Sequence, residues 1–203
     1  MGYYIRVLGT QDPNIHLDEL LQNLKAEGLT AKLSFAEGDE PSKWTILDVA
    51  NETGDTLAQI ERNPVLDGQL GKNELEEFKD EIEDCKPTTA VEWLTNFFDK
   101  VKVIYAFQML NAAFDNENFE IISSIKTKIW NKTSGILQAD HEGFSNEDGY
   151  HILWQFSADV KGEWSCAVLN SFGQWENFIF DLGDKTQRQE FLSGSVPSNA
   201  RRL

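Results

Sequence analysis

The sequence predicts an α+β fold with antiparallel sheet and segregated helices. Short stretches near both ends of the chain alternate apolar and polar residues with a period of two, which is typical of strands. The middle of the chain instead repeats its apolar residues at helical spacing. With 203 residues, 40% of them hydrophobic, the chain is expected to form one globular domain over 1–203 with lobes at 1–70, 71–117 and 118–203.

The first lobe is predicted to be βαββ in outline. Tyr3, Ile5 and Val7 alternate with more polar neighbours and predict the first strand. Asp12-Pro13 is a helix start signal, and Gly28 ends the leucine-rich helix that follows. A strand at 31–35 and a hairpin made of 44–50 and 56–62 complete the lobe.

The middle lobe predicts two helices. Asn73 and Glu76 have capping-box spacing, which predicts a first helix that Pro87 ends. A second helix is predicted to begin at Thr89 and to continue to residue 110, with apolar residues on almost every side. A helix of that kind is usually buried, so we expect it to be the long central helix of the fold.

The third lobe predicts a helix followed by a β-meander. Residues 119–129 carry isoleucines at helical spacing. The strands of the meander are predicted at 136–139, 150–157, 164–170 and 175–182. Asp184 is predicted to cap a last short helix that stops at Gly194.

The charge balance excludes several classes of partner. With 18 basic and 34 acidic residues, the net charge is −16 and the isoelectric point is near 4.5. Nucleic acids and anionic membrane surfaces both require a positive footprint that this balance does not supply. The first residues do not resemble a signal peptide, and the two cysteines form no CxxC pair. We therefore expect a cytoplasmic protein that does not associate with membranes.

The sequence contains no motif of a known catalytic or cofactor site. It lacks GxSxG, GxGxxG and GxxxxGK[ST], which nucleophile-elbow hydrolases, dinucleotide enzymes and P-loop enzymes use. No catalytic residue and no cofactor is therefore predicted.

Residues 74–84 form the most acidic segment of the chain. Seven of these eleven residues are acidic, and Lys79 is the only base. Like charges four residues apart destabilise a helix slightly, and a negative surface steers a basic partner toward docking. A solvated helix face is the simpler interpretation. The candidate partner-binding residues are Glu74, Glu77, Asp80, Glu81 and Asp84.

The segment 138–151 permits two interpretations. As a second acidic patch, it would contact the same partner through Asp140, Glu142, Glu147 and Asp148. As a metal site of a metal-assisted hydrolase, it would use Asp140, His141, Glu142 and His151. The spacing matches neither a calcium loop nor HExxH, and acidic residues beside glycine are also ordinary turn composition.

Six tryptophans offer a further interaction signal. Their positions on strand faces favour the core over sugar stacking. Trp175 follows a polar turn and is predicted to be the most exposed of them, so it joins the partner-binding candidates. Self-association through Trp175 and its neighbours is a third functional alternative.

The overall profile resembles that of immunity proteins that neutralise basic bacterial toxins. The resemblance is one of composition: an acidic, Trp-rich α+β domain with no catalytic motif. It implies a non-enzymatic protein that binds, and by occlusion inhibits, a basic protein partner. A metal-assisted hydrolase is the alternative.

Overall fold

The structure, a computed structural model, describes residues 2–203 apart from the side chain of Asn116. Within this range it contains five α-helices, one 3₁₀ turn and ten strands. The strands pair in antiparallel fashion, as in the hairpin of residues 46–50 and 56–64. The predicted α+β class is confirmed.

The chain divides into two compact units, each built from two separate stretches. Unit 1 consists of residues 2–72 and Val101–Gly135, and unit 2 consists of Asn73–Lys100 and Ile136–Leu203. The expectation of one domain over 1–203 remains a prediction.

Unit 1 contains a five-stranded antiparallel sheet. Its strands are β1 (Tyr3–Gly9), β2 (Lys32–Phe35), β3 (Ile46–Ala50), β4 (Thr56–Pro64) and β5 (Val103–Met109). They lie side by side in the order β2, β3, β4, β5, β1. The strand predictions for 3–8, 31–35, 44–50 and 56–62 are therefore confirmed to within a few residues.

The predicted long central helix is wrong. Its first half is a helix, Thr88–Phe98, but its second half is strand β5 of unit 1. β5 pairs with β4 on one edge and with β1 on the other, and all its side chains except that of Gln108 are buried. A strand covered on both faces has no apolar periodicity, so the run that includes Val103, Ile104 and Tyr105 fits a buried strand as well as a buried helix. Its β-branched and aromatic residues favour the strand.

Two helices complete unit 1, together with the 3₁₀ turn Asn111–Phe114. They are α1 (Leu17–Ala26) and a second helix, Asn116–Thr133, which is α4 in chain order. α4 packs against both α1 and β1. α1 begins four residues after Pro13, later than predicted. The buried Trp44 donates from Nε1 to the carbonyl of Ile15, just before α1, at 2.9 Å and packs edge-on against Tyr105 of β5.

Unit 2 contains three helices and two small groups of strands. The helices are α2 (Leu70–Ile82, whose first three residues belong to unit 1), α3 (Thr88–Phe98) and α5 (Lys185–Leu192). The strands are β6 (Gly135–Ala139, whose first residue belongs to unit 1), β7 (Gly143–Ser145), β8 (Glu163–Leu169), β9 (Trp175–Asp181) and β10 (Arg201–Arg202). β6 pairs with β7, and β8, β9 and β10 form a sheet in the order β10, β9, β8.

Local signals at the helix ends of unit 2 are partly confirmed. The Asp184 side chain accepts hydrogen bonds from the backbone N–H groups of Thr186 and Gln187, so it caps α5 as predicted. The capping box at Asn73 and Glu76 is wrong, because α2 begins at Leu70.

The predicted strand at 150–157 is also wrong. His151 alone forms isolated bridges, to Ser145 and to Cys166, and the following residues to Ser157 are irregular. Trp154 lies against Phe191 of α5, and the guanidinium of Arg188 stacks over its indole ring at 4.7 Å. Aromatic residues at alternate positions therefore fill the core here from an irregular segment.

A substitution at Gly143 tests how tightly the β6–β7 hairpin packs. Gly143 has a φ of 118°, and an added Cβ would lie 2.3 Å from the carbonyl oxygen of Leu153. Gly143→Ala should therefore lower the free energy of unfolding by about 3 kcal/mol or more, because both backbone strain and overpacking act. The measurement is urea denaturation followed by circular dichroism.

Gly162→Ala is the matched control in the same unit. Gly162 has a φ of 103°, but an added Cβ would meet no atom within 4 Å. Gly162→Ala should therefore lower the free energy of unfolding by only about 1 kcal/mol, which is the cost of the left-handed backbone conformation alone. Equal losses in the two variants would contradict the close packing at Gly143.

Candidate functional site

The exposed side of α2 is the main candidate surface. Leu75, Phe78 and Ile82 are buried, and the Phe78 ring packs edge-on against Phe144 at 5.5 Å. The opposite side carries what we call the acidic face, which consists of Glu74, Glu77, Asp80, Glu81 and Asp84. Glu74 is partly buried, the other four are exposed, and Asp84 lies in the turn just after the helix. The apolar stripe fixes the helix rotation, so the acids are turned to solvent.

Lys79 does not neutralise the acidic face. Its Nζ lies 3.5 Å from Glu76 Oε1 and 3.2 Å from Asp99 Oδ1. These two carboxylates do not belong to the acidic face. Among the described residues, Glu77, Asp80, Glu81 and Asp84 form no ion pair. These four carboxylates therefore present negative charge that no ion pair compensates, over about 10 Å along the helix.

The predicted second acidic patch lies on two different turns. Asp140 and Glu142 are half-buried in the turn between β6 and β7. Glu147 and Asp148 are exposed in the turn after β7. The Asn146 side chain holds that second turn, because its Oδ1 accepts from the backbone N–H groups of Asp148 and Tyr150 at 3.1 and 2.9 Å.

The predicted metal ligands do not form a metal centre. In the part of the chain that the structure describes, no three His, Cys, Asp or Glu side chains are grouped to hold a metal ion. His141 is exposed and has a φ of 64°, whereas His151 is buried. Proximity in the sequence therefore does not bring Asp140, His141, Glu142 and His151 together as ligands.

His151 connects two groups of strands. Its backbone N–H donates to Ser165 and its carbonyl accepts from Ala167, both at 2.9 Å on β8. The adjacent Ile152 donates to Phe144 of β7 at 2.8 Å. The imidazole lies 4.7 Å from the Phe156 ring, and its Nε2 has no hydrogen-bond partner. Burial lowers the pKa of His151 to about 3, against a smaller opposing effect of a hydrogen bond to the Leu153 backbone. The ring is therefore a neutral core group.

Trp175 is less exposed than predicted. It is half-buried, and its ring packs edge-on against Trp93 at 5.2 Å, while Trp93 stacks on Phe97. Trp164, with 38% of its surface exposed, is the more exposed tryptophan.

Phe172 is an exposed aromatic side chain that the sequence reasoning missed. It is 86% exposed at the tip of the β8–β9 turn. Asn170 Oδ1 fixes this turn by accepting from the backbone N–H groups of Phe172 and Gln174. An aromatic residue beside glycine in a polar turn, Ser171-Phe172-Gly173-Gln174, is the signal that could have identified it.

Negative charge is concentrated in unit 2. This unit carries 19 acidic and 8 basic residues, whereas unit 1 carries 15 acidic and 10 basic residues. Unit 2 thus accounts for 11 of the 16 net negative charges. The acidic face of α2 therefore belongs to the more negative of the two units.

Comparison with known proteins identifies no relative: no family model, no curated protein and no solved structure matches the chain. None of the helices within residues 2–203 combines the length and apolar character needed to span a bilayer.

His151→Asn tests the buried imidazole. In the unfolded chain this histidine has its ordinary pKa of 6.5 and takes up a proton as the pH falls below that value. In the folded chain its pKa is about 3, so it takes up the proton only near pH 3. Above pH 6.5 this histidine therefore does not lower the free energy of unfolding. Between pH 6.5 and pH 3 the free energy of unfolding falls as the pH decreases, by up to about 1.4 kcal/mol per pH unit. The variant should lose this part of the pH dependence in urea denaturation between pH 7 and pH 4.

His141→Asn is the control, because this imidazole is exposed and asparagine tolerates its left-handed conformation. It should keep the wild-type slope of stability against pH. A His151→Asn profile with the wild-type slope would contradict the neutral buried state.

Proposed function

We propose that this protein is a non-enzymatic binding protein whose acidic face on α2 engages a basic protein partner. The observation that supports the proposal is the row of exposed carboxylates from Glu77 to Asp84, since Lys79, the one base of residues 74–84, pairs with Glu76 and Asp99 instead. The mode of action resembles that of immunity proteins, in which an acidic surface covers a basic functional site.

The energetics favour a binding role for these carboxylates over a structural one. Repulsion between Glu77 and Glu81, four residues apart, destabilises the helix by a few tenths of a kcal/mol. A basic partner would remove this repulsion on docking. The negative electrostatic potential of unit 2 would also raise the rate at which such a partner associates.

Binding of this kind also needs an apolar contact. Charged residues at the rim of an interface mainly orient the partner and raise its association rate, while buried aromatic residues provide most of the affinity. Phe172 is the best-exposed aromatic side chain of unit 2 among the described residues. We propose it as an anchor, with Trp175, Glu142 and Asp148 as additional contacts.

We also propose a cytoplasmic location. Cys85 and Cys166 are free thiols, which suits a reducing compartment. Among the residues described, no set of metal ligands favours the alternative of a metal-assisted hydrolase, so binding is the only function that we propose.

The test compares capture by three immobilised proteins from a lysate of the source organism. They are the wild type, the variant Glu77→Lys/Asp80→Lys/Glu81→Lys, and the equally recharged control Asp18→Lys/Glu37→Lys/Asp67→Lys in unit 1. We expect the wild type and the control to retain one basic protein that the helix variant does not retain. With that protein purified, the helix variant should bind about 100-fold more weakly, because each reversal replaces attraction by repulsion.

Salt provides the second readout. Raising the ionic strength from 0.1 to 1 M shortens the screening length from about 10 to about 3 Å, so the wild-type affinity should fall steeply. Equal binding by the helix variant, or an affinity that salt leaves unchanged, would refute the proposal. Circular dichroism of all three proteins establishes that the substitutions leave the fold intact.

A further inference from the structure

Unit 1 contains a groove that takes no part in the proposed function. It consists of two adjoining cavities of about 370 and 300 Å³ that share Leu29 and Glu120. Its walls are the segment 27–30 just after α1, the turn between β3 and β4, and the N-terminal two-thirds of α4. Along α4 the groove extends from Glu117 to Thr127, which corresponds to about 15 Å of helix.

The walls of the groove are held by hydrogen bonds. Asn23 of α1 donates to Ser124 of α4 at 2.9 Å. In the β3–β4 turn, Asn51 Oδ1 accepts from the backbone N–H groups of Gly54 and Asp55 at 3.0 and 2.8 Å. Since these hydrogen bonds fix the walls, binding requires little ordering of the protein.

The lining combines an apolar floor with a negative rim. Ile121 is buried and Leu29 half-buried at the floor. The rim carries the exposed carboxylates of Glu27, Glu52, Glu117 and Glu120, and no lysine or arginine is among the described residues that line the two cavities. Beside the rim, Lys32 donates from Nζ to the backbone carbonyl of Glu52 at 2.8 Å. The C-terminal end of α1, which closes at Glu27, adds negative partial charge from its last carbonyl groups.

This combination matches a particular ligand chemistry. A metal ion requires tightly converging ligands, and among the described residues no three His, Cys, Asp or Glu side chains are grouped in that way. The carboxylates would repel an anion, and a neutral apolar molecule would make no favourable interaction with them. A linear aliphatic polyamine places methylene segments on an apolar floor and ammonium groups beside separated carboxylates.

We propose that the groove of unit 1 binds a linear aliphatic polyamine. The test is calorimetric titration of the full chain with spermidine at low ionic strength. We expect saturable binding of one spermidine per chain. Glu117→Gln/Glu120→Gln should weaken it at least tenfold, because both carboxylates line the larger cavity.

A matched control separates this site from the general acidity of the chain. Glu77→Gln/Glu81→Gln also removes two carboxylates, but from α2, and should change the affinity less than twofold. Thr30→Lys places an ammonium group in the groove and should abolish binding while retaining the wild-type melting temperature, since Thr30 is exposed.

Three outcomes would overturn the proposal: no saturable binding, equal weakening in both glutamine variants, or complete displacement of spermidine by Mg²⁺ at equal charge concentration. The first would mean that the groove holds no polyamine, and the other two that polyamines only neutralise the overall charge. Because the partner assay depends on α2 and this one on α4, either proposal can fail without the other.

Discussion

Strand β5 is the constraint on which unit 1 depends. It is hydrogen-bonded along both edges, to β4 and to β1, and nearly all its side chains are buried. A central strand cannot be omitted without separating the strands on either side of it. Since β4 ends at Pro64 and β5 begins at Val103, the chain between them must leave the sheet and return. This return explains why the unit consists of two stretches of sequence.

Residue patterns predicted the elements whose apolar residues recur with the period of a strand or a helix, or whose first residue is a capping residue. β1 showed its alternation, α2 showed its stripe of Leu75, Phe78 and Ile82, and Asp184 identified the start of α5. β5 escaped prediction because burial on both faces removes periodicity. A strand was wrongly predicted for the segment after His151 because aromatic residues alternate there. These residues pack into the core from a segment that forms no strand ladder.

The candidate surfaces differ in how far the sequence could reveal them. The acidic face lies on one helix, so helical spacing alone placed its residues together. The groove of unit 1 combines residues near positions 28, 52 and 120, and no local pattern relates them. Trp175 and Phe172 show that exposure of an aromatic side chain depends on its neighbours, because Trp93 packs against the first whereas the second is 86% exposed.

The interrupted arrangement of the units has a consequence during synthesis on the ribosome. Helices α2 and α3 emerge before residues 136–203, yet Phe78 and Phe98 both pack against Phe144. Until that later segment is made, their apolar stripes have no partner from it. The seven acids of residues 74–84 surround the stripe of α2 during this interval. We expect mutual repulsion between nascent chains to limit their aggregation in this interval, which would give the same carboxylates a gatekeeper role during synthesis.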